Sequence, residues 1–303
     1  MFKPAIKTKL KARIAIEGPS GSGKTYSALR IARGLVGPTG KIAVIDTEKD
    51  SARLYADEFA FDHAPLTEPY TPEKYTKLIK EAAAAGYDCL IVDSITHEWA
   101  GDGGILDIKS GTPGNEFTAW QKVTPRHNEF VNAMLNADCH IIATIRSKQA
   151  YALEQNDKGK QVPKKLGMQA QQREGLDYEF TVVLKMDISH MACGDKDRTK
   201  LFPVDSWFKP TEETGEALAA WLNSGAEPEK REPVQTPPDV QKKEIGDYIQ
   251  IMDVAKDLKD LTRIFTENAP SIRADLGEKG IVQIKKYNRD LAEAAGWITK
   301  GAA

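Results

Sequence analysis

Three cysteines in 303 residues, Cys89, Cys139 and Cys193, are too few and too scattered for a disulfide framework. They predict reduced thiols in a cytoplasmic protein. His190 stands near Cys193, but there is no second pair of ligands to complete a metal site. No apolar run approaches the length of a membrane span, which argues against a membrane protein. The basic residues Lys3, Lys7, Lys9, Lys11 and Arg13 are followed by no apolar stretch of the kind found in a secretory leader. An excess of one charge is also lacking: 42 Lys and Arg face 44 Asp and Glu, a net charge of −2. That balance excludes a wholesale polyanion binder and confines any nucleic-acid contact to a local patch. There is no internal repeat.

The strongest positive signal lies at Gly18, Pro19, Ser20, Gly21, Ser22, Gly23, Lys24 and Thr25, a complete G-x-x-x-x-G-K-[ST] phosphate loop. Its glycines let the backbone turn its N–H groups toward phosphate oxygens, and the helix that follows, opening with Tyr26, adds its positive end. Lys24 supplies a cation for the β- and γ-phosphates, and the Thr25 hydroxyl is a Mg²⁺ ligand. The expected cofactors are therefore ATP and Mg²⁺.

Around the loop, strand-like runs at 12–17, 41–46, 88–93, 140–145 and 180–186 alternate with helix-like runs at 24–35, 72–85, 117–136 and 214–222. This alternation predicts an α/β fold, a mainly parallel sheet with helices on both faces, over residues 1–225. Ligands then bind at the carboxyl ends of the strands. Residues 226–240 hold Pro228, Pro233, Pro237 and Pro238 among charged residues and read as a linker. Beyond it, 241–303 carries three apolar stripes: Ile245, Tyr248, Ile249 and Met252; Leu258, Leu261, Ile264 and Phe265; and Ile284, Tyr287 and Leu291. They predict a small all-α C-terminal appendage of three helices.

Other chemistry-bearing residues stand at strand ends. Asp93 closes Cys-Leu-Ile-Val-Asp, where a carboxylate holds Mg²⁺ through water. Asp46-Thr47-Glu48 closes the strand after the loop's helix, and Glu48 is positioned to orient or deprotonate an attacking water. A simple kinase needs no such residue, so Glu48 separates hydrolysis from phosphate transfer. Thr144 and Arg146 end the run 140–145, where a polar group can sense the γ-phosphate; Arg146 is equally a candidate for DNA contact. The segment 146–173 reads as a long polar loop, and Arg146, Lys148, Lys158, Lys160, Lys164, Lys165 and Arg173 make it the best local candidate for a phosphodiester backbone. A second, Gly-rich loop at 97–123 carries Trp99 and Trp120, which either stack on bases or anchor the loop. Lys196 and Arg198 read as the tip of a hairpin, either an ordinary charged turn or a pair reaching a neighbouring subunit's γ-phosphate.

Taken in order, these motifs resemble the RecA-like ATPase core over about 12–222. The phrases Gly-Pro-Ser-Gly-Ser-Gly-Lys-Thr-Tyr-Ser-Ala-Leu, Asp-Ser-Ile-Thr-His-Glu-Trp and Arg-Glu-Gly-Leu-Asp-Tyr-Glu-Phe more closely resemble phage-encoded, core-only RecA-like proteins grouped with single-strand annealing proteins. The resemblance implies Glu48 as the catalytic glutamate, Lys196 and Arg198 as trans-acting cations, and 97–123 and 147–172 as DNA-binding loops. It also implies a homo-oligomer, filament or ring, working on single-stranded DNA in the host cytoplasm, often with a single-stranded-DNA-binding protein. Phe2 and Ala5 match a short F-x-x-A self-assembly pattern. The alternatives are a nucleotide-gated DNA-binding assembly module with little hydrolysis, and a P-loop kinase.

Overall fold

The computed structural model describes residues 4–155, 161–226 and 244–299. The chain divides into two compact units, 1–228 and 229–303.

The first unit is built on an eight-stranded sheet. Seven strands run in the order β3 (Asp62–Pro65), β2 (Ile42–Asp46), β4 (Cys89–Asp93), β5 (His140–Gln155), β1 (Arg13–Gly18), β7 (Val182–Met186) and β8 (Ala192–Asp197). Of these, β3 to β7 are parallel along this path and β8 is an antiparallel edge. Period-two alternation feeds two cores. Ile14, Ile16, Val44, Ile91 and Ile142 face α1 (Lys24–Val36) and α6 (Glu212–Asn223). Ala15, Ile45, Leu90, Ile141 and Val183 face α2 (Pro72–Ala84) and α5 (Glu116–Asn136). Strands buried on both sides read as near-continuous apolar runs, which is why they were visible in the sequence.

Two expected loops have other structures. The stretch 97–123 is largely helical, comprising the end of α3 (Thr96–Ala100), then α4 (Ile105–Ser110) and the start of α5. Trp99 stacks on Trp120 with ring centroids 5.9 Å apart, and Lys109 lies over the Trp120 ring, so both indoles anchor the turn between helices. Within 147–172, residues 147–155 and 161–170 form a β-ribbon. Strand β5 continues past the sheet and pairs antiparallel with β6 (Gln161–Ala170), from Ser147 opposite Ala170 to Gln155 opposite Gln161, with a bulge beside Ala150. The ladder is made by backbone groups, which any composition can supply, and so the polar sequence reads as loop.

The helix that carries the phosphate loop is clamped. A Cβ on Gly34 would run into the backbone of Glu212, and one on Gly215 into the Ile31 carbonyl, so α1 and α6 touch backbone to backbone. Arg30 grips Glu212 beside this contact, with Nε 3.0 Å from both carboxylate oxygens. At the far end of the sheet, the buried Arg13 guanidinium donates to the carbonyls of Leu135, Ala137 and Cys139, closing the C-terminus of α5.

The second unit contains α7 (Ile245–Met252) and α8 (Leu258–Ala294), with α8 interrupted where Gly277 takes φ 69°. Tyr248, Met252, Leu261, Ile264, Ile272, Ile281 and Ile284 form its core. Residues 227–240 of the proposed linker, and Phe2, lie outside the described residues. Among the described residues no helix is long and apolar enough to cross a membrane.

Substituting Gly215→Ala should lower stability by about 1–3 kcal/mol, the usual range for overpacking, as read from urea unfolding; an unchanged midpoint would show that the two helices can separate freely. A second expectation concerns pH. Ala12 N–H donates to His140 Nδ1 at 2.9 Å, which requires a neutral ring, and burial pushes the His140 pKa down to about 4. The folded value lies below the ordinary ~6.5, so this contribution is complete above that pH and is lost as pH falls toward 4, at most about 3 kcal/mol. His140→Asn should therefore lose less stability than the wild type between pH 7 and 4.5; parallel losses would remove His140 from the acid response.

Candidate functional site

The carboxyl ends of β1, β2, β4 and β5 and the start of α1 meet around a cavity of about 500 Å³. It is lined by Ser20, Gly21, Gly23, Lys24, Thr25, Glu48, Asp93 and Arg146, together with Ser51, Tyr55, Ser147 and Gln171. The loop geometry follows from its glycines. Gly21 and Gly23 take φ of 79° and 83°, and a Cβ at Gly18 would collide with Ser22 and the Met186 carbonyl. Lys24 Nζ donates to the loop's own Gly18 and Pro19 carbonyls at 3.0 and 2.8 Å. Burial pulls its pKa below the usual lysine value against the pull of Asp93 and Glu48.

Asp93 is the centre of the site. Its carboxylate is 2% exposed and accepts from Thr25 Oγ1 and from Thr144 Oγ1, both at 2.5 Å. Burial pushes the Asp93 carboxyl up, and the two hydroxyls oppose that shift. Thr144 therefore serves as Asp93's partner. The Asp93–Ser94 peptide is cis.

Glu48 is held beside Asp93 by its backbone and its side chain. Thr47 N–H donates to the Asp93 carbonyl at 2.7 Å, and Ser94 N–H donates to Thr47 Oγ1 at 2.8 Å, joining the ends of β2 and β4. Asp46 accepts from the Glu48 and Ala52 amides at 2.6 and 3.0 Å, fixing the turn that leads to Tyr55. The Glu48 carboxylate accepts from Ser94 Oγ at 3.1 Å and forms a bidentate ion pair with Arg146, whose Nε lies 2.7 Å from Oε1. Burial works to raise the Glu48 carboxyl, but Arg146 and Ser94 hold it below the usual carboxylate range. Arg146 thus lines the cavity, with its guanidinium on Glu48.

A smaller hollow of about 230 Å³ adjoins the loop, lined by Gly23, Tyr26, Ser27, Arg30, Tyr55, His190, Lys209 and Pro210. Tyr26 meets Tyr55 edge-on at 5.3 Å, giving an aromatic wall beside the phosphate loop. His190 arrives from the turn between β7 and β8, close enough that a Cβ on Gly23 would touch its Nδ1. Of these Gly23 and Tyr26 belong to the sequence motif and its helix; Tyr55, His190 and Lys209 are brought here by a 3-10 turn and two loops that no motif marks.

The remaining sequence candidates lie elsewhere. Lys196 is within β8, not at a tip, and Arg198 follows the strand; the turn between β7 and β8 is 187–191. Lys196 Nζ donates to the Asp177 and Tyr178 carbonyls at 2.8 and 2.6 Å, and Arg198 to Tyr178 at 3.0 Å. Lys196 pairs with Val183 and so lies level with Ala15, about 10 Å of strand below Gly18. Lys148 is exposed on β5, and Arg173 donates to Asn128 Oδ1 at 3.3 Å. Lys158 and Lys160 lie outside the described residues, and Lys164 and Lys165 are described only as backbone in β6.

The donor set fits a magnesium nucleotide. Thr25 and Asp93 present hard oxygen ligands face to face, and Ser22 Oγ in the loop is buried without a partner among the described residues. A family model described as an AAA domain matches residues 10–214. No curated protein matches the chain.

Replacing Thr144 by Val should remove one of Asp93's two hydroxyl partners and lower stability by about 1–3 kcal/mol in urea unfolding, the range for a buried group left short of a partner. A variant as stable as the wild type would show that Asp93 needs only Thr25.

Proposed function

The chain belongs to the AAA domain family of nucleotide-binding P-loop ATPases, and on that premise we propose that it is a Mg·ATP-dependent, RecA-like ATPase acting on single-stranded DNA in annealing or recombination. The observation that carries the hydrolytic part is the convergence of Lys24, Thr25, Asp93 and Glu48 on one cavity. Lys24 and the loop amides bind the phosphates, while the tyrosines beside α1 and His190 provide a wall for the base. Thr25 and Asp93 would hold Mg²⁺, which neutralises charge on the phosphates. Glu48 takes a proton from the attacking water as its oxygen bonds to the γ-phosphorus. The bond from the γ-phosphorus to the bridging oxygen breaks, leaving ADP and phosphate.

The DNA part rests on the β5–β6 ribbon, which leaves the sheet at the cavity's edge and whose segment contains Lys148, Lys158, Lys160, Lys164 and Lys165. The oligomeric part rests on Lys196 and Arg198, which sit well below their own phosphate loop and suit the γ-phosphate of a neighbouring copy. A single-stranded-DNA-binding protein is the further partner that the family resemblance suggests. A second reading, a nucleotide-gated assembly module with little turnover, is favoured by one observation: Arg146 occupies the Glu48 carboxylate.

Lys24→Ala should abolish nucleotide binding, while Glu48→Gln should retain binding and lose about 10²–10⁴-fold in turnover. Steady-state hydrolysis should rise with single-stranded DNA and fall on dilution. Turnover indifferent to both would reject the trans arrangement, and negligible turnover in every condition would favour the assembly module. Phosphate appearing on a nucleoside monophosphate would instead revive the kinase.

A further inference from the structure

Glu17 immediately precedes the phosphate loop but does not line its cavity. It lies on the Ala15 face of the sheet, level with Ile145 on β5 and Lys185 on β7. Only 7% of the residue is exposed, and its carboxyl makes no hydrogen bond or ion pair among the described residues. The charged groups around it are Asp195, Lys185 and Asp177, while β5 contributes the apolar Ile145. Lys185 is engaged elsewhere, with Nζ 2.5 Å from Asp195 Oδ1. Asp195 stands where the β7–β8 register shifts, between Gly194 opposite Leu184 and Lys196 opposite Val183. Asp177 comes from the 3-10 turn Leu176–Glu179, and its carbonyl accepts from Lys196. The residues that follow Glu17 and Lys185 also meet: a Cβ on Gly18 would lie 2.9 Å from the Met186 carbonyl.

We propose that Glu17 is a proton switch on nucleotide binding: it holds its proton while phosphates occupy the loop and releases it when the loop is empty at neutral to alkaline pH. This rests on the nucleotide-binding reading above and adds to it a titrating group outside the cavity. Two physical points carry it. First, a carboxyl withdrawn from water without a partner favours its neutral form, because an unpaired buried charge is costly. Burial and then Asp195 push the Glu17 carboxyl up to about 7; Lys185 opposes the rise and Asp177 adds to it. Second, a nucleoside diphosphate or triphosphate brings several negative charges to the loop that begins at the next residue. Like charge disfavours the ionised carboxyl further, so Glu17 holds its proton more tightly with nucleotide bound than without. By linkage, binding takes up a proton near neutral pH, and affinity falls as pH rises through 7. In the empty protein the ionised carboxyl has Lys185 in register with it. The side chains of Lys185 and Asp195 are 44% and 38% exposed, and an ion pair this open to water is weak enough to exchange. Lys185 then turns from Asp195 to Glu17, within the strand pair whose turn brings His190 to Gly23.

The test measures Mg·ADP binding by titration calorimetry at pH 7.5 in buffers of different ionisation enthalpy, and the dissociation constant from pH 6 to pH 8.5. With about a tenfold difference in proton affinity between the empty and the loaded protein, the wild type should take up about half a proton at pH 7.5. Its dissociation constant should rise about three- to tenfold across the range. Glu17→Gln has no proton to exchange there and should lose both the uptake and that rise. Groups of the nucleotide and the loop titrate alike in the two proteins, so the difference between them reads Glu17. Asp195→Asn removes the like charge and should move the midpoint of the pH dependence to lower pH. Equal proton uptake and parallel pH dependence in the wild type and Glu17→Gln would overturn the switch and leave nucleotide binding standing. A wild type that binds no Mg·ADP at any pH would sink the nucleotide-binding reading and the switch together. If Glu17→Gln does not fold, Asp195→Asn decides alone: an unmoved midpoint overturns the proposal.

Discussion

A single buried carboxylate organises the first unit of this protein. Asp93 is almost fully withdrawn from water and has hydroxyl partners from two other elements, Thr25 at the start of α1 and Thr144 on β5. Burying a carboxylate is tolerable only when its oxygens are hydrogen-bonded. That requirement fixes the relative positions of the phosphate loop, β4 and β5 before any ligand arrives. The amide and hydroxyl of Thr47 extend the same tie to β2, and with it to Glu48.

Around this anchor the charges alternate. Lys24 and Arg146 face Asp93 and Glu48 in one half-buried space, and each cation is engaged by protein oxygen atoms: loop carbonyls for Lys24, the Glu48 carboxylate for Arg146. A triphosphate enters such a site by exchange, replacing contacts that are already made. The two cations are not equivalent. Lys24 sits on a helix locked to α6, while Arg146 belongs to the strand that leaves the sheet. The site therefore has a rigid side and a side built on an outgoing ribbon.

How much of this could be read in the sequence depends on what each residue packs against. The central strands β1, β2, β4, β5 and β7 were legible because both faces are buried, Ile14, Ile16 and Ile142 toward one core and Ala15, Ile141 and Val183 toward the other, whereas the edge strands β3 and β8 gave no such run. The phosphate loop, Asp93 and Glu48, which the structure brings to one cavity, were singled out in the sequence because each stands at a strand end within a recognisable pattern. The ribbon was not legible: Ser147, Lys148, Gln149 and Gln169 need only backbone partners, and polar alternation without a core looks like a loop. Trp99 and Trp120 were misplaced because the glycines between them suggested irregular chain, where short helices stack the two rings. Tyr55 and His190 were invisible because their contribution comes from tertiary placement, one on a 3-10 turn and one on the β7–β8 turn.

The length of β5 has a mechanical consequence. Gln155 lies nine positions beyond Arg146, about 30 Å of extended chain. A strand rooted at the phosphate-loop cavity and continuing that far is a lever. A tilt of about 5° at Arg146 carries Gln155 through about 2–3 Å, a displacement comparable with the diameter of a water molecule. Small changes at the cavity end would then arrive at the ribbon's outer half multiplied several-fold, less whatever the bulge beside Ala150 absorbs.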